Sequence, residues 1–140
     1  MRLESETAAL MDGRFGCDSL IALATVDGDS PAVRTVNAYY EDGSFYTVTY
    51  ALSGKMQQIA KNPNVAICGE WFTACGVAES IGHILRTENT DMADKLRTVF
   101  AEWYGNGHIN ETDPNTIILR IRLISGVLFH QGTRYDIDFT

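Results

Sequence analysis

The sequence predicts a mainly β fold: a small antiparallel barrel decorated with helices. Three observations carry this reading. Six segments of strand length are rich in β-branched and aromatic residues. Two of the connections between them contain Asp-Gly, at Asp27-Gly28 and Asp42-Gly43, a pair that favours tight antiparallel hairpins. One longer stretch, residues 89–104, repeats apolar side chains at helical spacing and would pack against the barrel.

Taken in order, residues 4–11 form a short helix, with Gly13 near its end. Residues 19–26 are an apolar run of strand length, followed by a turn over residues 27–30. Residues 31–40 form the second strand, residues 41–44 a turn and residues 45–50 the third strand. A two-turn helix then starts at Ser53 and ends before Pro63, which biases Asn62 out of helical geometry. Residues 64–71 and 73–85 are the fourth and fifth strands. Gly76 and Gly82 inside the fifth signal a bulge or a close backbone approach. In the long helix, Asn89 or Thr90 caps the start and Asp91 complements the first turn. Met92, Leu96, Val99, Phe100 and Trp103 make one apolar face, and Gly105 ends the helix. After a polar loop, residues 116–130 alternate as a long strand. Ile117, Leu119, Ile121 and Leu123 lie on one side, and Ile118, Arg120, Arg122 and Ile124 on the other.

At 140 residues, the chain is expected to be a single domain spanning residues 1–140 with a real core. Hydrophobic residues make up 45% and charged residues 21%, the balance of an ordinary globular protein. A net charge of −7 argues against non-specific nucleic-acid binding, which needs a basic surface, but leaves room for a local cationic pocket. The start, Met1-Arg2-Leu3-Glu4-Ser5-Glu6, has no apolar signal core, and no apolar run reaches membrane-spanning length. Cys17, Cys68 and Cys75 form no CxxC pair. Cys68 and Cys75 sit in or beside apolar strand runs, so buried free thiols and a reducing cytoplasm are expected.

The stretch that points to chemistry is Ser53-Gly54-Lys55-Met56-Gln57-Gln58-Ile59-Ala60-Lys61-Asn62-Pro63. A helix start presents unpaired backbone N–H groups and partial positive charge. A serine hydroxyl and a lysine ammonium beside it suit a phosphate; a capped surface helix with a solvated lysine fits the same letters. Arg34 interrupts a strand otherwise built of Ala, Val, Thr, Asn and Tyr. On an inner face it would need a partner, and an anion shared with Lys55 is one; strand alternation equally permits a solvent-facing arginine. His83, His108 and His130 have no neighbours at metal-ligand spacing, so no metal is expected. GxSxG, GxGxxG and P-loop patterns are all missing, which argues against serine hydrolase, Rossmann and nucleoside triphosphatase readings.

The order of these features resembles a known family. Pro31-Ala32-Val33-Arg34-Thr35-Val36-Asn37, then Phe45-Tyr46-Thr47-Val48-Thr49, Ser53-Gly54-Lys55 and Lys61-Asn62-Pro63-Asn64-Val65-Ala66 are similar to the pyridoxamine 5′-phosphate oxidase-like FMN-binding split-barrel proteins. The match covers roughly residues 15–85. The resemblance implies a six-stranded antiparallel split barrel with two to three packed helices, a homodimer, and FMN in a groove at the dimer interface. It implies that Arg34 and Lys55 contact the FMN phosphate and that Ser53 donates to it. The backbone of Thr35, Val36 and Asn37 would follow the isoalloxazine edge, and Thr49 would stand near the phosphate or ribityl chain. The partner's strand over residues 73–79 would add contacts. Two departures narrow the reading. Phe129-His130-Gln131-Gly132 faintly matches the family's closing Phe-Trp-Gln-Gly, but no Arg-x-His follows, so vitamin B6 oxidation is not implied. The lysine that often follows the second-strand arginine is replaced by Val36-Asn37-Ala38-Tyr39. The chain looks more like the short flavin-reductase-like members. The function expected is an FMN-dependent oxidoreductase that passes electrons from a nicotinamide donor to a small acceptor, with Tyr39, Trp71 and Phe72 as candidate pocket aromatics. The alternatives are a non-catalytic flavin or haem binder of stress-related type on the same barrel, and a user of the deazaflavin F420.

Overall fold

A computed structural model describes residues 3–140; Met1 and Arg2, part of the polar start noted above, lie outside the described residues. The elements are α1 (Ser5–Phe15), β1 (Ser19–Asp27), β2 (Ser30–Glu41), β3 (Ser44–Tyr50), α2 (Gly54–Lys61), β4 (Asn64–Gly69), β5 (Phe72–His83), α3 (Thr90–Val99), α4 (Ala101–Tyr104), β6 (Thr116–His130) and β7 (Thr133–Asp138). The strands run in the order β3-β2-β1-β4-β5-β6-β7, and β3 also pairs with β6. That pairing closes a six-stranded antiparallel barrel, with β7 as a seventh strand on the far half of β6.

Period-2 alternation decides what faces inward. Ile21, Leu23 and Thr25 of β1 are buried, as are Val65 and Ile67 of β4 and Leu119, Ile121 and Leu123 of β6. Helix α1 adds Met11 and Phe15 to this core, where Phe15 meets Phe45 and Phe72. A second cluster, of Ile84, Ala93, Leu96, Phe100 and Ile118, lies under α3 on the other face of β6, with Tyr46 and Val48 of β3 beneath it. The turn between β2 and β3 has positive φ at both Asp42 and Gly43, as the Asp-Gly signal predicts. The two glycines of β5 mark register shifts, at Cys75/Gly76 and Ser80/His83. A Cβ on Gly76 would stand 2.6 Å from the Arg122 carbonyl oxygen, so only glycine lets the two strands approach there.

Several expectations change. The cysteines are exposed, not buried. The pleat that turns Val65 and Ile67 inward turns Ala66 and Cys68 outward, and Cys75 follows the same rule opposite Ala66. Helix α1 runs through Gly13 to Phe15, because Phe15 is buried among the core aromatics. The long helix breaks at Phe100 (φ −96°, ψ 17°), whose fully buried ring is a core member, giving four helices rather than two to three. Asn89 does not cap by its side chain. Its amide donates to the Ile81 and His83 carbonyls (3.0 and 2.9 Å), beside the β5 register shift. Strand β7 is additional; it follows a Gln131-Gly132 turn with positive φ at both residues, and Tyr135 and Ile137 face inward between charged neighbours.

Candidate functional site

The barrel is split between β2 and β3. Along residues 30–38, β2 pairs with β1, but it pairs with β3 only at Tyr39–Tyr46, Tyr40–Phe45 and Glu41–Ser44. Beyond those pairs the two strands diverge, β3 remaining bonded to β6 through Tyr50–Thr116. Residues 31–38 of β2 and 47–50 of β3 therefore present unpaired backbone edges toward one opening. Such edges offer N–H and C=O groups to a ligand lying between them. Helix α2 begins four residues after β3 ends and packs against β1, bringing its first turn to this opening.

Arg34 faces inward: its Cα partner on β1 is Leu23, which is fully buried. Its Nη1 donates to the Leu23 carbonyl (3.1 Å) and to Thr25 Oγ1 (2.7 Å), and its Nη2 donates to Gln58 Oε1 (3.1 Å). Thr25 Oγ1 donates to the same Gln58 oxygen. All these acceptors are neutral, and no ion pair among the described residues includes Arg34 or Lys55. Lys55 is drawn to the same place. Burial holds its ammonium below the ordinary lysine range, and the positive charge of Arg34 lowers it further. Two cations, 21 positions apart in an acidic chain, are thus near enough for one charge to act on the other, and neither is ion-paired among the described residues.

Ser53 stands two positions before Lys55, at the start of α2. It has the extended backbone of an N-cap, yet its hydroxyl makes no capping bond. Among the described residues, Ser53 Oγ is the buried side-chain oxygen or nitrogen that lacks a hydrogen-bond partner. An orphaned buried hydroxyl carries a cost of about 1–3 kcal/mol, which an acceptor oxygen at the start of α2 would remove. Two unpaired cations and an unpaired hydroxyl fit a phosphate group, as does the donor-rich start of α2.

The remaining candidates fall in different places. Thr49 is half-buried on the free-edge stretch of β3, on the inward side with Phe45 and Thr47. The backbones of Thr35, Val36 and Asn37 lie on the free edge of β2, but their side chains diverge. Thr35 is exposed, Val36 packs on the barrel core, and Asn37 donates to Asp18 Oδ1 (2.8 Å), whose other oxygen accepts from Trp103 Nε1 (2.8 Å). Asn37's amide therefore ties β2 to α4. Phe72 is buried in the core and cannot line a pocket. Trp71 stands exposed on the β4–β5 turn with φ +52°, and the Tyr39 hydroxyl donates to Glu41. Sequence reasoning passed over Thr25 and Gln58. Thr25 continues the inward series Ile21, Leu23, and Gln58 lies three positions after Lys55 on the same helix face, but each suits its element and the letters do not single it out. No cluster of metal-ligating side chains occurs among the described residues.

No protein-family model matches the sequence, and no curated protein matches it. Solved structures do. The chain superposes on a Listeria innocua protein provisionally named pyridoxamine 5′-phosphate oxidase, with a TM-score of 0.67 and 15% identity, covering 94% of this chain and 100% of that one. An FAD-binding protein from Mesorhizobium loti matches with a TM-score of 0.67 and 14% identity over 89% and 92% of the two chains. An F420 reductase matches with a TM-score of 0.61 and 16% identity over 82% and 94%. At these identities the likeness speaks to architecture alone: the chain has the split-barrel fold of the pyridoxamine 5′-phosphate oxidase-like proteins.

Proposed function

We propose that this chain binds FMN through its phosphate at Arg34, Lys55 and Ser53, and serves as an oxidoreductase between a nicotinamide donor and a small acceptor. What supports the reading is that the charge of Arg34 acts on Lys55, that neither has an acid partner among the described residues, and that the Ser53 hydroxyl two positions before Lys55 is orphaned. Bound flavin would supply hydride and electron transfer. The protein's own part is to neutralise the phosphate, to lay the free backbone edge of residues 35–37 along the ring system, and to exclude water. The test is a visible absorption titration with FMN, followed by NADPH and NADH consumption with quinone and nitroaromatic acceptors. Absence of binding at micromolar FMN rejects the reading; binding without turnover leaves a flavin carrier. The likeness to an F420 reductase keeps a second cofactor in view, and mass spectrometry of the co-purified cofactor separates the two.

The groove of one chain is open, and a second copy is the proposed cover. Outward on β1, β4 and β5 lie Ala22, Ala24, Ala66, Cys68, Thr73 and Cys75, a sheet face of small uncharged side chains. Leu20 and Val33 extend it, 66% and 70% exposed. Small side chains on a flat face let two sheets approach closely, and a contiguous apolar surface of this kind marks an interaction site. Sedimentation should show a dimer in the presence of FMN, with Cys68 and Cys75 reacting more slowly with a thiol reagent than Cys17. A stable FMN-loaded monomer overturns this. A reducing cytoplasm suits three exposed thiols. No helix of the described residues is long and apolar enough to cross a membrane.

Lys55→Ala should weaken FMN binding about tenfold to a hundredfold, the range of one charge-assisted hydrogen bond, and leave riboflavin binding unchanged. The pH dependence follows from the sign of the shift. Because the folded pKa of Lys55 is lowered, the unfolded chain holds its proton to higher pH, and this residue's contribution to stability rises with pH between the two values. FMN binding runs the other way. It requires the ammonium, so affinity falls as pH climbs through the lowered pKa, starting below the ordinary value of 10.5. Titrations of wild type and Lys55→Ala across alkaline pH check both: only the wild type should show the fall.

A further inference from the structure

The polar residues around Arg34 divide into spent acceptors and unspent donors. Gln58 Oε1 accepts from two donors at once, Arg34 Nη2 and Thr25 Oγ1. Thr25 Oγ1 in turn accepts from Arg34 Nη1. A guanidinium can only donate, so the Gln58 atom facing Arg34 must be its oxygen. This fixes the amide orientation: Gln58 Nε2, with both hydrogens, is turned away from Arg34 and Thr25 and has no protein partner among the described residues. The groups left over can all donate: the Gln58 amide N–H, the Lys55 ammonium and the Ser53 hydroxyl, which can also accept. Gln58 lies three positions after Lys55, on the same face of α2. A group of donors with its side-chain acceptors already used selects a ligand rich in acceptor oxygens.

We propose that Gln58 is a further anion-binding and positioning residue of this site: its oxygen, clamped by Thr25, fixes the Arg34 fork, and its amide nitrogen donates to the phosphate that Arg34 and Lys55 hold. This rests on the phosphate-site reading above. It goes beyond it by assigning a role to a neutral residue and a direction to its amide. It also makes the site sensitive to a single-atom change. In Gln58→Glu the carboxylate still accepts from Arg34 and Thr25, so the fold and the fork are kept, but the proposed amide donor becomes a negatively charged oxygen.

The experiment compares FMN with riboflavin, which lacks the phosphate, by fluorescence titration of wild type, Gln58→Glu, Gln58→Met and Thr25→Val, with a thermal melt of each unliganded protein. The wild type should prefer FMN. Gln58→Glu should melt no lower than wild type, bind riboflavin unchanged, and lose at least about tenfold in FMN affinity, the loss of one hydrogen bond to a charged group. Gln58→Met, which removes donor and acceptor together, should lose FMN affinity without gaining repulsion, and so fall between the two. Thr25→Val should show a smaller loss than Gln58→Glu, since it loosens the clamp and leaves the donor. If wild type prefers FMN and Gln58→Glu keeps that preference, the role of Gln58 is overturned while the phosphate site stands. If wild type binds both ligands alike, the phosphate site falls and Gln58 falls with it. Should Gln58→Glu fail to fold, an undiminished FMN preference in Gln58→Met overturns the proposal just as well.

Discussion

Replacing Arg34 by methionine should abolish the preference for FMN over riboflavin, a loss of about a hundredfold or more, while the unliganded protein stays close to wild-type stability. The two effects separate because of what Arg34 touches. Its bonds are to neutral acceptors, the Leu23 carbonyl, Thr25 and Gln58, each worth about 1.5–3 kcal/mol as a bond from a charged donor, and removing the guanidinium also removes the cost of half-burying its charge. Thr25 and Gln58 keep their bond to each other when the guanidinium is gone, and the methionine fills much of the same half-buried volume. The repulsion between Arg34 and Lys55 also disappears, which offsets part of the loss. Toward a phosphate the balance differs: the guanidinium offers a charge and a fork that a thioether cannot replace. A second consequence follows from Lys55. With Arg34 removed, one cause of its lowered pKa is gone, so residual FMN binding should persist to higher pH than in wild type. Titration with both ligands at two pH values, beside a thermal melt, checks all of this. An FMN preference that survives in Arg34→Met would remove the arginine from the site.

What could be read from the letters follows from how local each signal is. Strands β1 to β3 and β6 lie where alternation and the Asp-Gly turns put them, because both signals act within a few residues. The positions of Gly76 and Gly82 told of register shifts for the same reason. Strand β7 was less legible: Arg134, Asp136 and Asp138 make it look like polar loop, and its pairing with β6 is what turns Tyr135 and Ile137 inward. The break at Phe100 was hidden because helical spacing continues across it. The ring's burial against Ile84 and Ile118 is a tertiary fact that overrides the local pattern. Among the candidate site residues, Arg34 stands out as a charge inside an uncharged strand, and Lys55 by its place at a helix start. Thr25 and Gln58 do not, since a threonine in a strand and a glutamine in a helix each suit their element. Only the fold shows that one arginine joins them. The exposure of Cys68 and Cys75 depends on the register of β4 and β5 and on which face the barrel closes around, which composition alone does not state.

Phe45→Ala should be the most destabilising single change in the barrel, by about 3–5 kcal/mol, the usual cost of removing a fully buried phenylalanine. Against a total stability of roughly 5–15 kcal/mol, that corresponds to a thermal midpoint lower by about 10 °C or more for a domain of this size. The ring is wholly buried and touches three others: Phe15 edge-on at 5.5 Å between centroids, Tyr40 edge-on at 5.4 Å and Phe72 at 6.5 Å. It ties α1, β2 and β5 to β3 at once, so its removal leaves a cavity bordered by all of them. The position also matters for the opening. Tyr40–Phe45 is the middle of the three residue pairs that join β2 to β3, so the cavity forms at the hinge of the split. Amide exchange should therefore speed up in residues 39–46 more than in the β5–β6 ladder, and the width of the opening should become less defined. Phe45→Leu should cost less, since most of the volume stays. A ligand that bridges the two free edges opposes the loss by mass action, worth about 2.7 kcal/mol at a hundred times its Kd. Saturating FMN should then restore a larger share of the midpoint in Phe45→Ala than riboflavin does at equal concentration, because only FMN also engages Arg34 and Lys55 across the split. Equal rescue by the two ligands at equal concentration would mean that they bind alike, and that the phosphate gains nothing from Arg34 and Lys55.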